Sequence, residues 1–341
     1  MPAKNYANLA PEGTYGTPPS SGWQGLVVRE DAHKVNVDMA YPVGIFYGQE
    51  GQTDEGLTVT QVGAEGTLKP YMPSTGIGLL LKALFGAPTT TTLDTGAYQH
   101  VFTTGSNAST VSLATQIGRT FKDGTADRDT YAGAMAKEWR IDQAKRPASG
   151  GQGDESLAKM EVDFDYQRMI APGDFTQKLP TYPTPELYHG AGAGFDVSIG
   201  SSLGSLSSKC LTSVSFKYMV GLDIEDTCVS TVLKSKPTRG QEPEASLDGE
   251  WSYAARDAYD AFVAGTPLAA RLAWTGTATA TEIADGIQPS LTIDIARFVY
   301  TGETPEMSRD AKTKQKLPMK VLKTSGEPLL TVTYVSSETF S

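Results

Sequence analysis

A pattern of strands and a helix is written twice along these 341 residues, and that repetition limits what the chain can fold into. Lys34-Val35-Asn36-Val37-Asp38-Met39 alternates apolar and polar residues, the period-two signature of a half-buried strand. Ser213-Val214-Ser215-Phe216-Lys217-Tyr218 does the same, and Val35, Val37 and Met39 fall on Val214, Phe216 and Tyr218 at a constant offset of 179. A helical run follows in each half. Ser74 or Thr75 can cap Gly76-Ile77-Gly78-Leu79-Leu80-Leu81-Lys82-Ala83-Leu84-Phe85, and Gly86 suits a left-handed stop. Its counterpart, Arg256 to Ala264, carries Ala258, Tyr259, Phe262 and Val263 on one stripe and stops at Gly265.

Two more correspondences extend the repeat. Val111 and Leu113 map onto Leu291 and Ile293 at an offset of 180. Each half then ends in two strand-like runs that read as a hairpin: residues 134–141 with 159–166, and residues 317–322 with 330–334. The stretch 171–195 is rich in Pro and Gly, has weak periodicity, and reads as a linker. The expected organisation is an arm (residues 1–33), a first β domain (34–170) with a long loop at 45–72, the linker, and a second β domain (196–341). The fold class is mainly β: two tandem sandwich or barrel domains, each flanked by one α-helix. Two unrelated β domains would be the alternative.

Chemistry is hard to find. His33, His100 and His189 are far apart, and no HExxH, GxSxG or Walker A run occurs. Gly190-Ala191-Gly192-Ala193-Gly194 follows no strand and opens no helix, so it reads as linker rather than a dinucleotide loop. Cys210 and Cys228 read as unpaired, partly buried thiols. Neither a cofactor nor a metal is expected. The formal net charge is -10, and residues 1–170 and 171–341 each contribute -5. That even acidity argues against binding nucleic acid through basic patches. No apolar run is long enough for a transmembrane helix, and the first residues contain no secretory h-region, so no membrane partner is expected and the cytoplasm is the expected place of synthesis. Glu161, Asp163 and Asp165 form the densest carboxylate set. Alternating with Val162, Phe164 and Tyr166, they should share one solvated strand face.

Several stretches together resemble the tail tube, or major tail, proteins of long, non-contractile-tailed bacteriophages. They are the opening Pro11-Glu12-Gly13-Thr14-Tyr15-Gly16-Thr17-Pro18-Pro19, the run Thr75 to Gly86 followed by Tyr98-Gln99-His100-Val101-Phe102, the run Tyr259 to Thr266, Pro289-Ser290-Leu291-Thr292-Ile293-Asp294-Ile295, and Gly302-Glu303-Thr304-Pro305-Glu306. The resemblance covers nearly the whole chain, although the loop from Arg146 to Glu155 is long and Asp223–Thr231 finds no match. It implies a non-enzymatic virion protein of tail-tube fold, assembled in the host cytoplasm. Six such domains make a ring, and stacked rings make the conduit for DNA ejection.

With two domains per chain, the resemblance implies a trimeric, pseudo-hexameric ring; a hexamer of chains is the alternative. Implied partners are the chain itself, a tape-measure protein, a tail terminator, a distal tail protein and, transiently, double-stranded DNA. An acidic lumen would repel DNA weakly and let it slide, which nominates Glu161, Asp163 and Asp165. Ring-to-ring docking falls to the loop from Tyr47 to Pro70, with Tyr47, Glu50, Asp54, Glu55 and Lys69 as candidates and the N-terminal arm as second contact. Other readings are a capsid decoration or adhesin-type β protein, and a carbohydrate-active enzyme. For the last, Trp23, Trp139, Trp251 and Trp274 are too scattered to suggest a platform.

Overall fold

The structure, a computed structural model, describes residues 6–40, 58–105, 111–120, 126–144, 156–171, 174–176, 178, 186–189, 194–224, 232–252, 257–276, 282–302 and 314–339. In chain order the first half forms β1 (Tyr6–Pro11), β2 (Gln24–Leu26), β3 (Val28–Ala40), β4 (Thr58–Pro70), α1 (Gly78–Phe85), β5 (Thr89–Asp94), β6 (Ala97–Thr103), β7 (Leu113–Thr120), β8 (Ala126–Ala144), β9 (Lys159–Tyr166) and β10 (Arg168–Ile170). The second half forms β11 (Phe195–Gly200), β12 (Leu206–Ser208), β13 (Ser213–Met219), β14 (Leu222–Asp223), β15 (Thr238–Arg239), β16 (Glu244–Ser252), α2 (Asp257–Ala264), β17 (Leu268–Thr275), β18 (Ser290–Tyr300), β19 (Lys314–Val321) and β20 (Thr331–Ser336).

β8 organises the first half because it is long enough to serve two sets of neighbours. Its first part lies between β7 and β10. Gly133 then takes φ +71°, a left-handed bend that favours glycine, and its N–H is held by Glu12 Oε1 at 2.8 Å. Beyond the bend β8 lies between β9 and β13. β9 pairs in turn with β4, and β4 with β3. β18 plays the same part in the second half: it lies between β17 and β20 and then meets β19, which leads through β16 to β13. β1 with β2 flanks β7, and β11 with β12 flanks β17. Both halves thus follow one order of pairings, and the β8–β13 ladder joins them edge to edge, with Trp139 opposite Tyr218 and Ile141 opposite Phe216.

Alternation along each strand decides the layers. Met160, Val162 and Phe164 of β9, Trp139 and Ile141 of β8, Val214, Phe216 and Tyr218 of β13, and Leu247 and Met319 beyond them are all buried on one face. They belong to one apolar core that runs through both halves, with α1 contributing Leu80, Leu81, Leu84 and Phe85. Burial of large side chains at about 1.5–3 kcal/mol each drives this layer together.

Several expectations change. The repeat does not keep one offset. The helices begin 179 residues apart (Gly78, Asp257), but β7 and β17 begin 155 apart (Leu113, Leu268), because the first half carries the extra β5–β6 hairpin. The run at 111–117 therefore answers to β17, not to 291–295. β19 and β20 do not pair with each other; they lie end to end along the side of β18 opposite β17, so the expected 317–322 with 330–334 hairpin does not form. Within the expected arm, Tyr6, Ala7, Asn8, Leu9 and Ala10 are buried in β1, a core strand whose continuous burial leaves no alternation to read. Within the expected loop 45–72, residues 58–70 are β4, inserted between β3 and β9; Gly63 and Gly66 interrupt its alternation and hid it. Part of the expected linker is a strap: Tyr188 is buried and its backbone bonds to Met72 and Ala158. Neither Ser74 nor Thr75 caps α1. The side chain of Glu338 instead accepts a bond from Gly78 N–H at 3.2 Å.

Candidate functional site

The sheet β3-β4-β9-β8-β13-β16-β19 has a second face, and that face is mostly polar, with Met135 and Met219 among its residues. Residues directly opposed in an antiparallel ladder share a face. Glu65 stands opposite Asp165, Glu138 opposite Asp163, Arg140 opposite Glu161 and Lys217, Ser215 opposite Asp142 and Asp248, and Ser246 opposite Lys320. The wall therefore crosses the junction between the halves without interruption. Glu138 ties the junction together by accepting from both Arg140 and Lys217 at 2.9 Å. A groove of about 640 Å³ lies where the halves meet, lined by Asp142, Lys159, Ser215, Asp248 and Glu250 among others.

The three nominated carboxylates do not share one environment. Glu161 and Asp163 are half-buried on the polar face, and Asp163 accepts from Thr67 Oγ1 at 2.5 Å. Asp165 is 1% exposed, beneath Lys234 of the second half, whose Nζ lies 2.8 Å away. Burial pushes its carboxyl up, against the pull of Lys234. Asp165 is thus a clasp between halves, not part of a solvated row. Glu65 is held below the usual carboxylate range, chiefly by Lys34 at 2.5 Å. The wall is a mixture of paired charges rather than a uniformly acidic lining.

The sheet also leaves edges open. β3 pairs on one side with β4, and among the described residues no strand covers its other side. There Val35, Val37 and Met39 are 38%, 42% and 44% exposed, with Val59 of β4 beside them at 38%. At the far end α2 packs against β18, yet none of its residues is buried, and Val263 is 66% exposed. Exposed apolar clusters on an open strand edge mark an interaction surface.

Comparison with known proteins agrees with this architecture. A family model described as phage tail tube protein matches residues 3–321. The chain belongs to the phage tail tube protein family. It is accordingly a structural protein of the phage tail, mainly β, of a family that self-assembles into a tube. No curated protein matches its sequence. No helix is long and apolar enough to cross a membrane.

For this tail tube protein, the docking-loop candidates Tyr47, Glu50, Asp54 and Glu55 lie outside the described residues. Lys69 is at the other end of β4, within the sheet, paired with Glu30 at 3.4 Å. The β3–β4 connection, residues 41–57, is what remains of the expected loop. Cys210 is exposed, rather than partly buried as expected, and Cys228 is outside the described residues. His33 is enclosed between Tyr131 and Tyr166, with Nε2 2.8 Å from the Tyr166 hydroxyl. His100 is buried between Thr90 Oγ1 and Glu338 O, and burial lowers its pKa. Sequence reasoning missed the residues that hold the halves together, Glu138, Lys217 and Lys234. The only available signal was charged residues alternating with aromatic ones on facing strands.

Proposed function

We propose that three copies of this chain close into a pseudo-hexameric ring and that rings stack into the tail tube of a long, non-contractile-tailed phage, the conduit for DNA ejection. One observation carries the reading: the β8–β13 ladder joins the two halves edge to edge into a sheet with one polar and one apolar face. Each chain offers two four-strand blocks, β3-β4-β9-β8 and β13-β16-β19-β18. Repeating the same joint from chain to chain would extend the sheet into a closed cylinder and remove its open edges. Three two-domain chains supply the six domains that the family resemblance implies for one ring.

The polar wall would then face the bore. DNA carries one negative charge per about 1.7 Å of axis, so a cationic bore would hold it. Here Lys34, Lys217 and Arg140 are engaged by Glu65 and Glu138, and Glu161 and Asp163 add negative charge, so on this part of the wall a passing duplex would meet paired cations, while Lys320 of β19 is exposed. Residues 41–57, with Tyr47, Glu50, Asp54 and Glu55, are the proposed contact to the next ring. A tape-measure protein, a tail terminator and a distal tail protein would set length and ends, with assembly in the host cytoplasm. Negative-stain electron microscopy of the purified chain, alone and with the other tail proteins, tests this. Hollow tubes of threefold rings are expected; only monomers or twofold dimers under both conditions would overturn it.

A further inference from the structure

We propose that the lysines of β19 form a contact for the phosphate backbone of double-stranded DNA. The inference rests on the tube reading above and names the residues of the polar wall that would touch the duplex. It starts from a contrast between the halves. Both follow one order of pairings, so β9, set between β4 and β8, answers to β19, set between β16 and β18. The two strands carry opposite charge. On β9, Lys159, Glu161, Asp163 and Asp165 hold alternate positions, one cation against three carboxylates. On β19 the alternate positions are Lys314, Lys316, Pro318 and Lys320, three cations and no carboxylate. Residues 311–326 hold five lysines in all and neither Asp nor Glu, in a chain whose formal net charge is -10.

Register puts this row on the polar wall. Lys320 stands opposite Ser246, which stands opposite Lys217; Lys316 stands opposite Glu250, and Lys314 opposite Ser252. Alternate positions of one strand fall on one face. Other cations of the wall, Lys34, Lys137, Arg140 and Lys217, each meet a carboxylate. Lys320 is exposed, and its neighbours across the two ladders, Ser246 and Val299, are uncharged. It lines a groove of about 480 Å³ with Lys217, Lys323, Glu242 and Glu244, where Glu242 lies 4.0 Å from Lys323. Toward Lys316, Glu250 and Asp248 of β16 offset part of the charge, so the Lys320 end is the more basic. The row spans about 20 Å, six residues at about 3.3 Å each, over which a duplex presents about twelve phosphates. Three phosphate contacts give a log–log salt slope of about -2.7, so affinity would fall about fortyfold between about 50 and about 200 mM salt. Such a contact holds a duplex at low salt and lets it slide near physiological salt. Around the proposed bore, three of these rows would alternate with three acidic β9 rows.

Anisotropy of a dye-labelled duplex of about 20 base pairs tests this, titrated across that salt range with purified chain below the concentration at which it assembles. Wild type should bind with a slope of about -2.7. Lys314→Gln, Lys316→Gln and Lys320→Gln together should weaken binding at the lowest salt about tenfold or more and flatten the slope to near zero. Lys320→Gln alone, at the exposed position, should lower the slope by about 0.9. Lys209→Gln, exposed just after β12, and Lys320→Arg, which keeps the charge, should bind as wild type does. A wild-type chain without salt-dependent binding, or a triple variant that binds as well as wild type, would overturn this contact and leave the tube reading standing. That reading falls separately, if electron microscopy shows no ring or tube.

Discussion

Phe85, at the end of α1, stacks nearly parallel on Tyr218 of β13, with centroids 4.9 Å apart and planes 17° from each other. The two residues belong to different halves of the chain, so the helix of the first half is the lid of the second half's first strand. Trp139 completes the contact, edge-on to Phe85 at 5.7 Å. The halves therefore share a core and should unfold together.

Phe85→Ala should accordingly lower stability by about 3–5 kcal/mol, the usual loss for a buried aromatic ring, in one transition rather than two. Urea unfolding followed by fluorescence and circular dichroism checks both parts. Two separated transitions would refute the shared core. Tyr218→Phe makes the opposite case. Its hydroxyl is buried and has no hydrogen-bond partner among the described residues, so removing it should leave stability unchanged or raise it by up to about 1 kcal/mol.

Two glycines of β4 should respond differently to alanine. A Cβ at Gly66 would stand 2.2 Å from His33 Cδ2, and that ring is fixed between Tyr131 and Tyr166. Gly66→Ala should cost at least about 1–3 kcal/mol through overpacking. A Cβ at Gly63 meets the outer methylenes and the ammonium of Lys234, which can swing aside at the expense of its bond to Asp165. Gly63→Ala should be the milder change. Thermal melting of the two variants ranks them, and the reverse order would contradict the assigned packing.

How much of this was written in the sequence depends on how each element is buried. β3, β9, β13 and the two helices carry one apolar and one polar face, and their periodicity revealed them. β1 is buried on all sides and β4 is broken by glycines, so neither shows an alternation, and both were read as arm or loop. The repeat was legible up to the helices and then lost its register, because the β5–β6 hairpin shifts everything after it in the first half. The acidic row was legible on β9, but Lys234 comes from a distant segment, and no local pattern announces that it buries Asp165. The open edges were invisible, since exposure of Val35 and Val263 depends on what the fold leaves uncovered.

Acid should weaken the first half through Asp31. His33, then Arg119, pull its carboxyl from 3.8 down to about 2, against burial. The His33 Nδ1 separation of 3.5 Å is long for a hydrogen bond, so Arg119, at 2.7 Å, is the firmer contact. A lowered folded pKa means the stabilisation is fully present above the unfolded value and is lost as pH falls from about 4 through about 2. The loss should be about 2 kcal/mol, and Asp31→Asn should flatten the stability curve over that window. An unchanged slope in the variant would remove Asp31 from the account.

Charge reversal on the polar wall separates the residues that face the proposed bore from the one that only shares their strand. Glu161 and Asp163 are half-exposed, and neither is committed to an ion pair among the described residues, so Glu161→Lys with Asp163→Lys should leave folding and tube length intact. The added positive charge would face the duplex and should slow ejection, measured as DNA release from phage carrying the variant. Unchanged release would place this wall away from the DNA. Asp165→Lys should fail earlier and for another reason: it would bury a second cation against Lys234, at a cost of about 3–5 kcal/mol or more. That variant should be recovered as destabilised or insoluble chain, and a stable, tube-forming product would mean that Asp165 is not the clasp between the halves.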